Sequence, residues 1–163
     1  MSPTGHLAVG FAVKHWKSKI PLIWYLIGSY TVDIIYMGLN LIGFENFGNN
    51  PWSHSLVMVI AYSCVAAIIT WIFTKHQKNS ILMGIVVLSH WLLDFIVWNN
   101  LPLAFEKNPS LGLGLYSKIG FDINVPTFNM AMVIATGLEL GLLIIGILIY
   151  LKSRKIDANI KVA

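Results

Sequence analysis

The chain has 163 residues, of which 56% are hydrophobic and only 11% are charged, and its formal net charge at pH 7 is +4. Soluble domains carry about 25% charged residues, so this composition excludes an ordinary soluble enzyme and predicts a single membrane domain over residues 1–163. The basic residues cluster at the ends of apolar runs, a topology signal that argues against nucleic acid as a partner. The single cysteine, Cys64, excludes an internal disulfide.

The first apolar segment is too short to cross a bilayer. Only the seven residues from Leu7 to Val13 separate His6 from Lys14, whereas a transmembrane helix needs about 20. We therefore expect a short half-helix that is buried in the membrane and has Lys14 at the cytoplasmic surface. With a rise of about 1.5 Å per residue, His6 then lies roughly 12 Å deep.

Four longer apolar runs follow, over residues 20–44, 53–74, 80–98 and 126–151, and each predicts a transmembrane helix. With the N-terminal side in the cytoplasm, only Lys107 and Lys118 among the eleven cations lie outside, as the positive-inside rule requires. The predicted fold is all-α. It is an integral membrane helical bundle of four transmembrane helices plus the buried N-terminal half-helix, with both termini cytoplasmic and residues 99–125 as an extracytoplasmic loop.

Ionisable side chains inside these apolar segments are the strongest indication of function. Asp33 lies in the first span and Asp94 in the third, where His90 precedes Asp94 by four residues and shares its helical face. An ionisable group in hydrocarbon is costly, so it persists only where it is paired, hydrated or bound to a metal. With His6 on the half-helix and His54 at the outer mouth of the second span, five metal-competent side chains are predicted at compatible depths.

Imidazole nitrogen and carboxylate oxygen suit a divalent metal, best zinc, with manganese or iron as further candidates. Five ligands exceed the three of a mononuclear catalytic zinc, so either carboxylates orient histidines or two metals share an aspartate. Alternatively, Asp94 only pairs with His90, and Asp33 bonds hydroxyl groups of neighbouring helices. Serines beside His54 and His90 also allow a nucleophile, although the chain has no G-x-S-x-G motif.

Two further features belong to the outer half and the last span. Glu139 lies midway along that span between Gly137 and Gly141, whose G-x-x-x-G spacing permits close helix contact. We expect Glu139 to be an accessory group, either pressed against the site or paired with a histidine, with a structural hydrogen bond as the alternative. The loop at 99–125 is long enough to be a lid over Asp94, or else it lies on the membrane surface.

Short motifs surround the candidate ligands: Thr4-Gly5-His6-Leu7-Ala8-Val9-Gly10, the in-span Asp33, Trp52-Ser53-His54-Ser55-Leu56 and Ser89-His90-Trp91-Leu92-Leu93-Asp94. Together they resemble the bacterial membrane-bound metal-dependent hydrolase family through most of the chain. The resemblance is closest to a branch of small membrane proteins, and that family is distantly similar to zinc-dependent phospholipase C. It implies a phosphoester hydrolase of the bacterial inner membrane, with the five side chains as metal ligands and His54 and Asp94 as catalytic residues.

The predicted function is zinc-assisted hydrolysis of a phosphoester in a lipid or lipid-linked substrate taken from the bilayer. A small permease or an ion or proton carrier could use the same histidines and aspartates. A third alternative is a non-catalytic membrane protein whose polar cluster holds its helices together. The sequence gives no indication of an oligomeric state.

Overall fold

The computed structural model describes residues 4–14, 18, 20–46, 49–105, 110–121 and 129–162. Within these ranges the chain is all-α, as predicted, with one pair of two-residue antiparallel strands. The elements in chain order are α1 (Thr4–Lys14), α2 (Leu22–Leu41), α3 (Pro51–His54), α4 (Leu56–Thr74), α5 (Gln77–Val97), β1 (Leu101–Pro102), β2 (Ser110–Leu111), α6 (Leu115–Lys118) and α7 (Met130–Val162).

Four helices are long and apolar enough to cross a membrane, which confirms the helical membrane bundle. They are α2, α4, α5 and the Met130–Arg154 part of α7. Only 17% of the spanning window of α4, and the same share of α7, is buried inside the protein. A helix that is apolar all round and yet so little covered by protein needs lipid around it. The start predicted for the last span, residue 126, lies outside the described residues.

The half-helix α1 packs against α7, α2 and α5. Its 11 residues rise only about 16 Å, which is roughly half of a hydrocarbon core. A glycine permits the contact with α7, because a Cβ on Gly146 would lie 2.5 Å from the carbonyl oxygen of Ala8. At the other end of α1, Lys14 Nζ donates to the carbonyls of Ser18 and Ile20, and partial burial lowers its pKa. The packing of α1 against these three helices encloses His6, which is 2% exposed.

The segment before α4 differs from the expected continuous helix. Ser55 is extended, with φ −68° and ψ 149°, and its side-chain oxygen accepts a hydrogen bond from the backbone N–H of Met58. Because this cap starts a new helix at Leu56, His54 lies on the separate one-turn helix α3. The direction of the His54 side chain is therefore set by α3 and is independent of the axis of α4.

The connection between α5 and α7 folds back onto the outer end of α5. The backbone N–H of Leu113 donates to the carbonyl of Phe95, and that of Gly114 donates to the carbonyl of Trp98. Gly112 has φ +132°, and a Cβ there would collide with the Trp98 carbonyl. The described part of the loop is thus packed against the last turn of α5, which carries Asp94.

Candidate metal centre

The five side chains predicted as ligands meet between α1, α2, α3 and α5. His90 Nε2 lies 3.4 Å from Asp94 Oδ2 and 3.6 Å from Asp33 Oδ1. His54 Nε2 lies 3.6 Å from Asp33 Oδ1 and 3.9 Å from Asp94 Oδ2. His6 Nε2 lies 3.5 Å from the other oxygen of Asp94, Oδ1. Side chains far apart in the chain therefore face one another through their polar atoms.

Four of the five side chains in the cluster are buried, and the fifth is partly exposed. His6, His90 and Asp94 are at most 2% exposed, and His54 is 8% exposed. The side chain of Asp33, in contrast, is 29% exposed. Among the described residues, the cluster is therefore most open on the side of Asp33, along α2.

The ring of His90 is held in one orientation. Its Nδ1 lies 3.0 Å from the carbonyl oxygen of Ser29, which can only accept a hydrogen bond, so Nδ1 carries the proton. In the neutral ring, Nε2 then presents a lone pair. This nitrogen is buried and has no hydrogen-bond partner among the described residues, yet it faces oxygens of Asp33 and Asp94. A cation between them, either a proton or a metal ion, is needed to offset the repulsion.

His54 is oriented by its neighbour in the sequence. The hydroxyl of Ser53 donates to the carbonyl of Asn50, and its oxygen lies 2.8 Å from Nδ1 of His54. This contact holds the ring with Nδ1 towards Ser53, so Nε2 is the nitrogen that faces Asp33 and Asp94 and can bind a metal. The ring also makes an edge contact with Tyr36, at 5.5 Å between centroids.

His6 and His90 are stacked, with their ring centroids 3.8 Å apart and their planes 9° from parallel. If a proton on each ring balanced the aspartates, two imidazolium charges would face each other at this distance. A metal ion avoids that repulsion, because it neutralises the carboxylates while both rings stay neutral. Nδ1 of His6 is buried and has no hydrogen-bond partner within the described part of the chain.

The spacing of the ligand atoms suits a small divalent ion. Around a tetrahedral zinc with bonds of 2.0–2.2 Å, neighbouring ligand atoms are about 3.3–3.6 Å apart. The contacts of His54 and His90 with the two aspartates span 3.4–3.9 Å. Two overlapping groups, His6-Asp33-His90 and His54-His90-Asp94, each have their ligand atoms within 4.8 Å of one another and could hold a metal ion. Asp94 faces His6 with one oxygen and the other two histidines with its second, as a bridging carboxylate would.

Glu139 is buried beside this cluster, where it joins the start of α1 to the loop. Its Oε2 accepts a hydrogen bond from the hydroxyl of Thr4 at 3.0 Å, and its Oε1 accepts one from Tyr116 at 2.6 Å. Burial raises the pKa of the Tyr116 hydroxyl, and the hydrogen bond to Glu139 raises it further. The close helix contact predicted at Gly137 and Gly141 is wrong, because a Cβ on either would meet nothing within 4 Å.

Sequence reasoning missed Glu45, which follows the end of α2. This side chain is 3% exposed, and its Oε1 accepts hydrogen bonds from the backbone N–H groups of Trp52 and Ser53. The only signal in the sequence is an acidic residue near the end of an apolar run, which is ordinary at a membrane surface. The two remaining histidines of the chain are His76, which is exposed, and His15, which lies outside the described residues.

No protein-family model, curated protein or solved structure matches the chain significantly. The resemblance to membrane-bound hydrolases therefore stays a prediction made from the motifs around His6, Asp33, His54 and Asp94. The case for a function rests on the chemistry of the cluster and on its place in a membrane protein.

Proposed function

We propose that this protein is a membrane-embedded, zinc-dependent hydrolase that cleaves a phosphoester in a lipid or lipid-linked substrate. The observation that carries the proposal is the convergence of three imidazole Nε2 atoms on two aspartates at 3.4–3.9 Å. Neutral histidine and carboxylate are the donor set that zinc prefers in catalytic sites. The motif resemblance supports the same reaction class.

His54, His90, Asp33 and Asp94 would hold the metal, and His6 would complete the set from the Oδ1 side of Asp94. When bound, zinc lowers the pKa of a coordinated water and neutralises charge that develops on phosphate oxygens. Asp94, whose two oxygens face the histidines, would balance the charge of the bound ion. His54, on the less buried side near Asp33, would act through the metal that its Nε2 holds, beside the place where the substrate phosphate arrives.

The partly exposed edge at Asp33 supports a substrate that arrives through the bilayer. Met37 lies one helical turn further along α2, on the same face as Asp33, and is 67% exposed. Ile34, beside Asp33, is 53% exposed. An acyl chain could therefore lie along α2 while its phosphate reaches the cluster.

The orientation of the chain is also a proposal. We place the chain in a bacterial inner membrane with both termini on the cytoplasmic side. The metal cluster then lies in the outer half of that membrane. The distribution of lysines supports this, because Lys14, Lys75 and Lys78 lie at the end of the bundle away from the loop that contains Lys118.

The decisive experiment compares hydrolysis with transport. The protein purified in detergent is expected to cleave a lipid phosphodiester, to lose activity with a chelator and to regain it with zinc, because hydrolysis needs the ion but no gradient. Glu139→Gln, which lies outside the ligand set, should keep its metal and lose activity only modestly. Absence of turnover in detergent, together with ion or proton movement in proteoliposomes that Glu139→Gln abolishes, would instead identify a carrier.

A further inference from the structure

The helix that carries His54 cannot hold its own shape. α3 has four residues, a single turn, and such a short helix is unstable without outside contacts. Its N-cap residue, Asn50, makes no side-chain capping bond, and Pro51 at the first position has no N–H group. The direction of the His54 ring therefore depends on what binds this turn from outside.

The buried carboxylate of Glu45 binds this turn from outside. Glu45 Oε1 accepts hydrogen bonds from the backbone N–H of Trp52 at 2.6 Å and from that of Ser53 at 3.0 Å. These are the groups that an N-cap side chain would ordinarily satisfy. Because Glu45 is almost completely buried, the two bonds are strengthened by its charge and by the low local dielectric.

Stability of the α3 turn alone does not favour a buried glutamate at this place. The second oxygen of Glu45, Oε2, is buried and has no hydrogen-bond partner among the described residues. A buried carboxylate oxygen without a partner is costly. The Asn50 side chain is the ordinary N-cap group for this turn and would satisfy one of these N–H groups, whereas the buried glutamate holds both.

We propose that Glu45 is a positioning residue for His54. By holding the N–H groups of Trp52 and Ser53, it sets the tilt of α3 and so aims Nε2 of His54 at Asp33 and Asp94. The Ser53 hydroxyl, which orients the ring through Nδ1, lies on the same turn, so one movement of the turn would shift both. This inference rests on the proposed metal site. Groups that orient a metal-binding histidine typically change metal affinity by about 10–100-fold.

The test measures zinc affinity by competition and records the absorption spectrum of the cobalt-loaded protein, using the full chain in detergent. Glu45→Ala should weaken zinc binding about 10–100-fold and give a cobalt spectrum like that of His54→Ala, since the His54 nitrogen is lost. Glu45→Gln keeps an oxygen acceptor for both N–H groups, so its loss should be smaller.

Tyr62→Phe is the matched control. The Tyr62 hydroxyl donates to the carbonyl of Trp52 at 2.7 Å in an exposed contact, so its removal takes one weak hydrogen bond from the same turn and leaves the N–H groups that Glu45 holds. Zinc affinity and the cobalt spectrum should stay close to those of the wild type. An equal loss in Tyr62→Phe, or no change in Glu45→Ala, overturns the positioning role.

If the wild type binds neither ion, the proposed hydrolase fails and the role of Glu45 is decided on the metal-free protein. Nitrogen NMR of the histidine rings then compares His54 with His76, which is exposed. In Glu45→Ala the His54 signals should move towards those of His76. Unchanged His54 signals in that variant overturn the inference.

Discussion

At the scale of single residues, Nε2 of His90 is the atom that most clearly requires a cation in the cluster. Its partner nitrogen is committed to the Ser29 carbonyl, so Nε2 faces Asp33 and Asp94 with a lone pair. Only a cation makes this arrangement favourable. Because one ion would bind His90 and Asp94 together, the two residues should act as a unit.

His90→Ala and Asp94→Ala should each remove bound zinc almost as completely as the double substitution does. This non-additivity is expected of groups that share one ion. The measurement is metal content per protein after purification and dialysis, with Ser63→Ala as a control, since Ser63 is buried in α4 and bonds only the Val59 carbonyl among the described contacts. Additive losses of thermal stability, with no metal bound in any variant, would support a purely structural cluster.

The sequence revealed the five candidate ligands because an ionisable group in hydrocarbon is conspicuous. Asp33 and Asp94 stand out in apolar runs, and His90 follows from the helical repeat. Glu45 did not stand out, because it lies beyond the end of α2, where a charged side chain is usually solvated. Its burial depends on how the chain turns back after α2 at residues 42–46, and no periodicity encodes that turn.

At the scale of elements, the position of α1 determines whether His6 reaches the cluster. The four long spans were predictable from length and apolarity, and so was the shortness of α1. The place where α1 meets α7 was not. The G-x-x-x-G spacing pointed to Gly137 and Gly141, whereas the close approach is at Gly146, because contact depends on which face of α7 turns towards α1.

Gly146→Ala should therefore push α1 away from α7, since its Cβ would lie 2.5 Å from the Ala8 carbonyl oxygen. We expect the free energy of unfolding to fall by about 1–3 kcal/mol, as for other overpacked contacts. Zinc affinity should fall as well, because His6 moves with α1. Denaturant titration and zinc competition measure the two effects.

Gly141→Ala is the control for this substitution, because its Cβ would meet no atom within 4 Å. The same gain in helix propensity should make it neutral or slightly stabilising. If both variants were equally stable and bound zinc equally, the contact between α1 and α7 would not position His6.

At the scale of the whole molecule, the cluster lies nearer one end of the helical bundle than the other. Asp94 is three residues before the end of α5, about 5 Å, and Asp33 is eight residues before the end of α2, about 12 Å. Both ends lead to the side of the bundle that carries α3 and α6. Lys75, in the turn between α4 and α5, and Lys78, at the start of α5, lie at the opposite end. The orientation of the bundle therefore decides from which compartment water reaches the site.

Cysteine labelling tests that orientation. Ser117 on α6 and Gln77 at the start of α5 are both exposed and lie at opposite ends of the bundle. In a Cys64→Ser background, a membrane-impermeant thiol reagent applied to intact cells should label Ser117→Cys and spare Gln77→Cys, which should react only after the cells are opened. This pattern follows from the positive-inside rule, because the cations cluster at the Lys75 end. The reverse pattern would place the metal cluster in the cytoplasmic half of the membrane, where a hydrolase could reach only substrates of the inner leaflet.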